Sequence, residues 1–118
     1  MKVIIAGGRK FSDFQLMNSK CNEVLLEAAD VDDIEIVSGT AKGADKMGEH
    51  YASVRGFAVK QFPANWDSHG KAAGYIRNKD MADYADMLIA FWDGESKGTQ
   101  HMINLAKERN LIVHVIKY

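Results

Sequence analysis

Short runs of consecutive apolar residues alternate along the chain with longer stretches in which apolar positions recur every three or four residues. The short runs, Val3 to Ala6, Ile34 to Ser38, Ala58 to Phe62, Met87 to Phe91 and Ile112 to Ile116, predict five strands. Their unbroken apolar character predicts a parallel sheet buried on both faces. Between them Phe14, Met17, Cys21, Val24, Leu25 and Ala28 form one helical stripe, and Ala44, Met47, Tyr51 and Val54 form a second. A third helix is expected over Gly74 to Tyr84 and a fourth over Thr99 to Asn110, with Asn110 as a left-handed stop. Strand–helix alternation with right-handed crossovers gives an α/β, doubly wound domain over residues 1–118, with sheet order 3-2-1-4-5 and helices on both faces.

Ligands of such sheets bind beyond the carboxyl ends of the strands. Here that edge consists of GGRKFSD, GTAKGAD, PANWDSHGKAAGYIRN and WDGESKGT, which hold eight of the chain's 10 glycines. The opposite edge has ordinary turns, AADVDD and Gly56. Glycine lets a ligand approach the main chain, so successive amides converge on an anion, and helices starting just afterwards add their positive ends. Gly7, Gly8, Ser38, Gly39, Thr40, Gly43, Gly94, Ser96, Gly98 and Thr99 are therefore candidate phosphate contacts. GxxxxGK followed by Ser or Thr is absent, as is GxGxxG after the first strand, which argues against a P-loop nucleotidase and an ordinary dinucleotide dehydrogenase.

Arg77 shares a stripe with Met81 and Tyr84 or Ala85, so it faces the sheet from the first turn of its helix. A guanidinium placed there needs an anion: a ligand phosphate, or a structural partner among Asp13, Asp45 and Asp93. Arg9 is a second phosphate fork beside Gly7 and Gly8, and Asn78 adjoins Arg77. Trp66 and Trp92 flank the same edge, as nucleobase platforms or as lid and subunit contacts. Asp45 is placed to accept from ribose hydroxyls. Ser38 lacks a neighbouring histidine to serve as base, so a hydrogen-bonding role is expected of it. Met47, Met81, Met87 and Met102 read as core or subunit-contact residues.

Composition narrows the choices. The chain has 118 residues, 47% of them hydrophobic, and a net charge of −1, so no general cationic field gathers nucleic acid. Lys42, Lys46, Lys71 and Lys79 are scattered basic residues. The single Cys21 falls on a helical apolar stripe and reads as core. His50, His69, His101 and His114 lack metal-ligand spacing, so no metal and no separate cofactor is expected. No apolar run approaches a membrane span, and a cytoplasmic protein without membrane association is expected.

In this order and spacing, GGRKFSD, SGTAKGAD, GKAAGYIRNKDM and FWDGESKGT resemble the YspA/YpsA-related branch of the SLOG superfamily, which is Rossmann-like. The wider superfamily includes the LOG phosphoribohydrolases, the DNA-processing protein DprA and nucleotide-sensing domains. The resemblance implies a nucleotide or nucleotide-like ligand, with Arg77 near the phosphoribosyl group, Gly98 and Thr99 at phosphate, and a homo-oligomer, dimer or larger. It also shows a departure: the hydrolases carry a catalytic glutamate three residues after this threonine, and Met102 stands there. Methionine offers neither charge nor acid–base chemistry. A binding or sensor module is therefore the first expectation. The alternatives are a nucleotide N-glycosidic hydrolase using Asp45, Asp93 or Glu95, and a DprA-like nucleic-acid-processing protein.

Overall fold

A computed structural model of the chain describes residues 1–28 and 33–118. Five parallel strands, β1 (Lys2–Gly7), β2 (Glu35–Ser38), β3 (Ala58–Gln61), β4 (Met87–Trp92) and β5 (Ile112–Lys117), form one sheet in the order β3-β2-β1-β4-β5. The crossovers contain α1 (Phe14–Ala28), α2 (Ala44–Arg55), a short α3 (Trp66–His69) with a 3-10 turn at Gly70–Ala72, α4 (Ala73–Tyr84) and α5 (Lys97–Glu108). The order and the Rossmann-like class match the sequence expectation. The predicted AADVDD turn falls largely outside the described residues.

Strand alternation sorts the core into two layers. Val3 and Ile5 of β1 face Met17, Cys21, Leu25 and Tyr51 of α1 and α2, whereas Ile4 and Ala6 face Met81, Met102 and Ala106 of α4 and α5. The expectation of burial on both faces holds for β1, β2 and β4 but fails at the sheet's edges. All four residues of β3 are exposed, and β5 has only exposed and half-buried positions. An edge strand has a neighbour on one side only, and Lys60 and Lys117 give these two the charges typical of exposed edges.

Ends are set by local chemistry. Gly56 closes α2 in the left-handed conformation at φ 77°, and Asn110, at φ 60°, turns the chain after α5. The fourth helix begins at Lys97, two residues before its expected start, because the Ser96 side chain accepts from the Thr99 amide and caps it. Trp66–His69 was not expected to be helical; Asn65 accepts from the Ser68 amide and nucleates that single turn.

β1 leads outward to β2 and β3 on one side, and β4 and β5 lie on the other, so the strand order reverses between β1 and β4. Gly7 pairs with Phe91 at this point, and the loops that follow them diverge to opposite faces. A crevice is unavoidable there.

Candidate functional site

Two adjoining clefts open at the carboxyl ends of the strands, the larger of them over the reversal point. The larger, about 400 Å³, lies between the loop after β1, the start of α2, the first turn of α4 and the loop entering α5. The smaller, about 330 Å³, lies between the loop after β2 and the segment from Pro63 to Trp66. Both volumes fall toward the small end of the roughly 300–1,000 Å³ found for small-molecule sites. Arg9, Ala41 and Arg77 line both clefts and form the divide between them.

Arg77 is held by two hydrogen bonds. Its Nη1 donates to the Gly39 carbonyl, and its Nε donates to Asn78 Oδ1 at 3.0 Å. Buried Asn78 is fixed in turn: Nδ2 donates to the Gly98 carbonyl at 3.3 Å and lies 3.2 Å from His101 Nδ1. His101 is thereby assigned as the acceptor, with its proton on Nε2. Burial, with a smaller opposing effect from Glu108, lowers the His101 pKa and favours this neutral form. The network ties α4 to α5 and fixes Arg77 where it lines both clefts.

None of the ion pairs among the described residues involves Arg77. The structural pairing with Asp13, Asp45 or Asp93 is therefore replaced by carbonyl and amide contacts, with Asp45 as the nearby opposing charge. Burial lowers the Arg77 pKa, Asp45 opposes that effect, and Arg9 adds to it as a like charge. Asp45 is 6% exposed and accepts from the Ala41 amide at 3.2 Å. Burial lifts its pKa to about 6 against the downward pull of that hydrogen bond and of Arg77. Asp45 thus lies within electrostatic reach of two guanidinium groups, and burial makes its carboxylate easier to protonate.

Glycine is required at two points for different reasons. A Cβ on Gly39 would sit 2.7 Å from both Arg77 Nη1 and Asp45 Oδ2, so only a bare Cα leaves room for this arrangement. Gly43 has φ 79°, and a Cβ there would lie 2.4 Å from the Gly8 carbonyl. Gly43 thus lets the loops after β1 and β2 touch, and it lines neither cleft. Thr40, at φ 66°, is a non-glycine residue in the left-handed region, a strained position that faces the smaller cleft.

The loop entering α5 is built by Asp93 and Ser96. Asp93 Oδ1 accepts from the Glu95 and Ser96 amides, each at 2.9 Å, and these bonds hold the Asp93 pKa below its ordinary value. Gly94, at φ 87°, makes the turn between them. Gly98 and Thr99 belong to the first turn of α5 instead of a preceding loop, and both line the larger cleft with Asp93 and Ser96. A Cβ on Gly98 would meet nothing within 4 Å. Its Cα faces open space.

The larger cleft also brings together Gly7, Gly8, Arg9, Asp45, Arg77 and Asn78 from the expected set, and the smaller one gathers Gly39, Thr40 and Trp66. Five expected residues lie elsewhere, among them Gly43 at its contact with Gly8. Ser38, 1% exposed, donates to Glu49 Oε2 at 2.6 Å and accepts from the Thr40 amide at 3.1 Å, so it braces the loop from beneath. Trp92 packs in the core layer of α4 and α5, its indole donating to the Ser96 carbonyl at 3.1 Å; it supports the α5 loop and does not line either cleft. Gly94 and Glu95 are likewise absent from the linings.

Residues outside the expected set complete the walls. Ala6, Met81 and Met102 give the larger cleft an apolar floor, and Met102 is 1% exposed. Lys10 and Tyr118 stand at its side. Tyr118 packs edge-on against Phe11, with ring centroids 4.8 Å apart, and its hydroxyl lies over Gly8. The strand-end rule, applied to β5 as well as to the other strands, would have found it. Lys42, Pro63 and Ala64 complete the smaller cleft. Among the described residues no three His, Cys, Asp or Glu side chains are grouped to hold a metal, and no helix is long and apolar enough to cross a membrane.

Known proteins give the same outline. The chain is similar in structure to DNA processing protein A from Streptococcus pneumoniae, with TM-score 0.73 and 19% identity, over 97% of this chain and 49% of that one. It is also similar to DNA processing protein A from Helicobacter pylori, with TM-score 0.64 and 18% identity, over 98% of this chain and 64% of that one. The chain thus spans about half to two thirds of those proteins, and the likeness establishes the fold. The gene 61 protein of Mycobacterium phage D29 is 37% identical over 84 residues, which are 66% of this chain and 67% of that protein. The model of the YAcAr family (YspA, cpYpsA-related SLOG) matches residues 1–69, which include β1 to β3 and the glycine loops after β1 and β2, and the chain belongs to that family.

Proposed function

We propose that this chain binds a nucleotide or nucleotide-derived small molecule at the carboxyl ends of its strands, as a sensing or sequestering module. The observation that carries the reading is Arg77: a partly buried guanidinium, oriented by Gly39 and Asn78, in no ion pair among the described residues, on the wall between two clefts. An anionic group is the partner it lacks. The start of α5, with Ser96, Gly98 and Thr99, supplies further donors to the same space. The apolar floor of Ala6, Met81 and Met102 suits a base or the flat side of a sugar. Self-association and a cytoplasmic setting are part of the same reading.

The hydrolytic alternative falls to Asp45 or Asp93, the two carboxylates that line the larger cleft, since Glu95 does not and Met102 has no acid–base chemistry. A second reading, single-stranded nucleic acid, is favoured by Trp66, which is 52% exposed beside Arg9 and Lys42. The Helicobacter pylori protein is described in terms of its single-stranded DNA binding mode.

Thermal unfolding against mononucleotides, NAD, ADP-ribose and cyclic nucleotides, for the wild type and Arg77→Ala, tests the proposal. A ligand at about 100 times its Kd stabilises the native state by about 2.7 kcal/mol, a rise of several degrees in Tm. The expected result is a shift in the wild type that Arg77→Ala loses. Free base among the products would move the reading to hydrolysis. Binding of an oligonucleotide that weakens steeply with salt, with no small-molecule shift, would move it to nucleic acid.

A further inference from the structure

We propose that the ligand has two arms joined by a diphosphate, with the bridge on Arg9 and Arg77 and one arm in each cleft. This inference rests on the nucleotide-site reading above and names its substrate class.

Three observations carry it. The two clefts differ in lining yet share Arg9, Ala41 and Arg77, so a molecule centred on these residues reaches both sides. Each cleft has its own surface for a flat group. Tyr118 lines one together with Met81 and Met102, and Trp66 lines the other together with Pro63. Both aromatic side chains are about half exposed, Tyr118 at 47% and Trp66 at 52%, which leaves ring surface for a ligand.

The charge at the divide suits a group with two negative charges; a phosphate monoester carries about as much as a bridging diphosphate, so it is the pair of clefts that selects a bridge with an arm on each side. Arg9 and Arg77 are close enough to perturb Asp45 together, and Arg9 acts on Arg77 as a like charge. Two cations beside a single carboxylate leave at least one positive charge unmatched, and two when Asp45 takes up a proton. A bridging diphosphate carries two adjacent negative charges and no terminal phosphate. A nucleic-acid strand would need a cationic track running well beyond the divide, whereas Lys10 on one side and Lys42 on the other extend the pair by one cation each and the cleft linings add no other.

Isothermal titration with NAD, ADP and a short oligodeoxynucleotide tests this, using the wild type, Trp66→Ala and Tyr118→Ala, each checked for an unchanged circular dichroism spectrum. ADP carries more negative charge than NAD, so simple charge attraction ranks ADP first. The two-armed reading predicts the reverse, with NAD binding about ten times more tightly or better. Either substitution should weaken NAD about tenfold, whereas ADP should respond to only one of the two. NAD binding no more tightly than ADP, or NAD indifferent to either substitution, would overturn the inference while leaving a nucleotide site intact. An oligonucleotide that outbinds NAD would overturn it in favour of a strand. No binding of NAD or ADP by any form would remove the nucleotide reading itself.

Discussion

Replacing Asp45 by Asn removes an ionisable group from the wall of the larger cleft while keeping an oxygen to accept the Ala41 N–H. The carboxyl group is nearly fully buried, and its pKa rises from the ordinary 3.8 to about 6. The folded protein therefore binds this proton more tightly than the unfolded chain does. The associated stability is complete below about pH 4 and is lost as pH rises through about 6. The distance from 3.8 to about 6 corresponds to about 3 kcal/mol in total. About 2 kcal/mol of it falls between about pH 4.5 and about pH 7.5, where both forms can be studied. Guanidinium unfolding of the wild type and Asp45→Asn at several pH values gives the difference directly, because every other carboxylate contributes equally to both curves. The difference should change by about 2 kcal/mol across that window, in the sense that the wild type loses ground as pH rises. Parallel curves would refute the reasoning, since they would mean that Arg77 and the Ala41 amide fully offset the burial of this carboxylate. The same proton links to function. A ligand diphosphate does not titrate in this range, so NAD should bind more tightly below about pH 6 in the wild type and show no such dependence in Asp45→Asn.

Three further outcomes follow from the packing. Gly39→Ala places a methyl 2.7 Å from Arg77 Nη1 and Asp45 Oδ2; it should cost about 1–3 kcal/mol of stability by denaturant titration and should abolish the Tm shift given by nucleotides. Gly98→Ala should separate stability from binding: the methyl meets no protein atom within 4 Å, so chemical denaturation should show a gain of about 0.4–1 kcal/mol, while the ligand affinity measured by titration falls. Cys21 is fully buried, and burial pushes its thiol up to about 12; iodoacetamide should leave it unmodified in the native protein and label it on unfolding, as read by intact mass.

The sequence made the sheet legible because apolar runs of strand length alternate with helical periodicity, and short crossovers leave few topologies open. The edge strands were misjudged for a specific reason: Ala58, Val59, Ile112 and Val115 carry apolar side chains, and hydropathy alone does not tell a central position from an edge one. The loops bearing the site were legible from their glycines, but the division of labour inside them was not. Ser38 and Gly43 resemble phosphate contacts in sequence, yet the first is engaged by Glu49 from the second turn of α2, and the second exists for contact with Gly8. Those partners are 11 and 35 residues away in the chain, so local motifs carry no trace of them. Trp92 and Tyr118 show the same limit in opposite directions: the tryptophan beside the glycine loop turns into the core, and the tyrosine after β5 reaches the cleft through the sheet's geometry.

The most direct test of the account is a ¹H–¹⁵N correlation spectrum recorded while NAD is added. The account predicts that the amides of Gly8, Arg9, Ala41, Gly98 and Thr99 shift together along one saturation curve, with the Arg77 side-chain Nε–H, while Phe57 and Asn110 at the opposite edge of the sheet stay in place. Saturable shifts confined to another surface, or none at millimolar ligand, would contradict it.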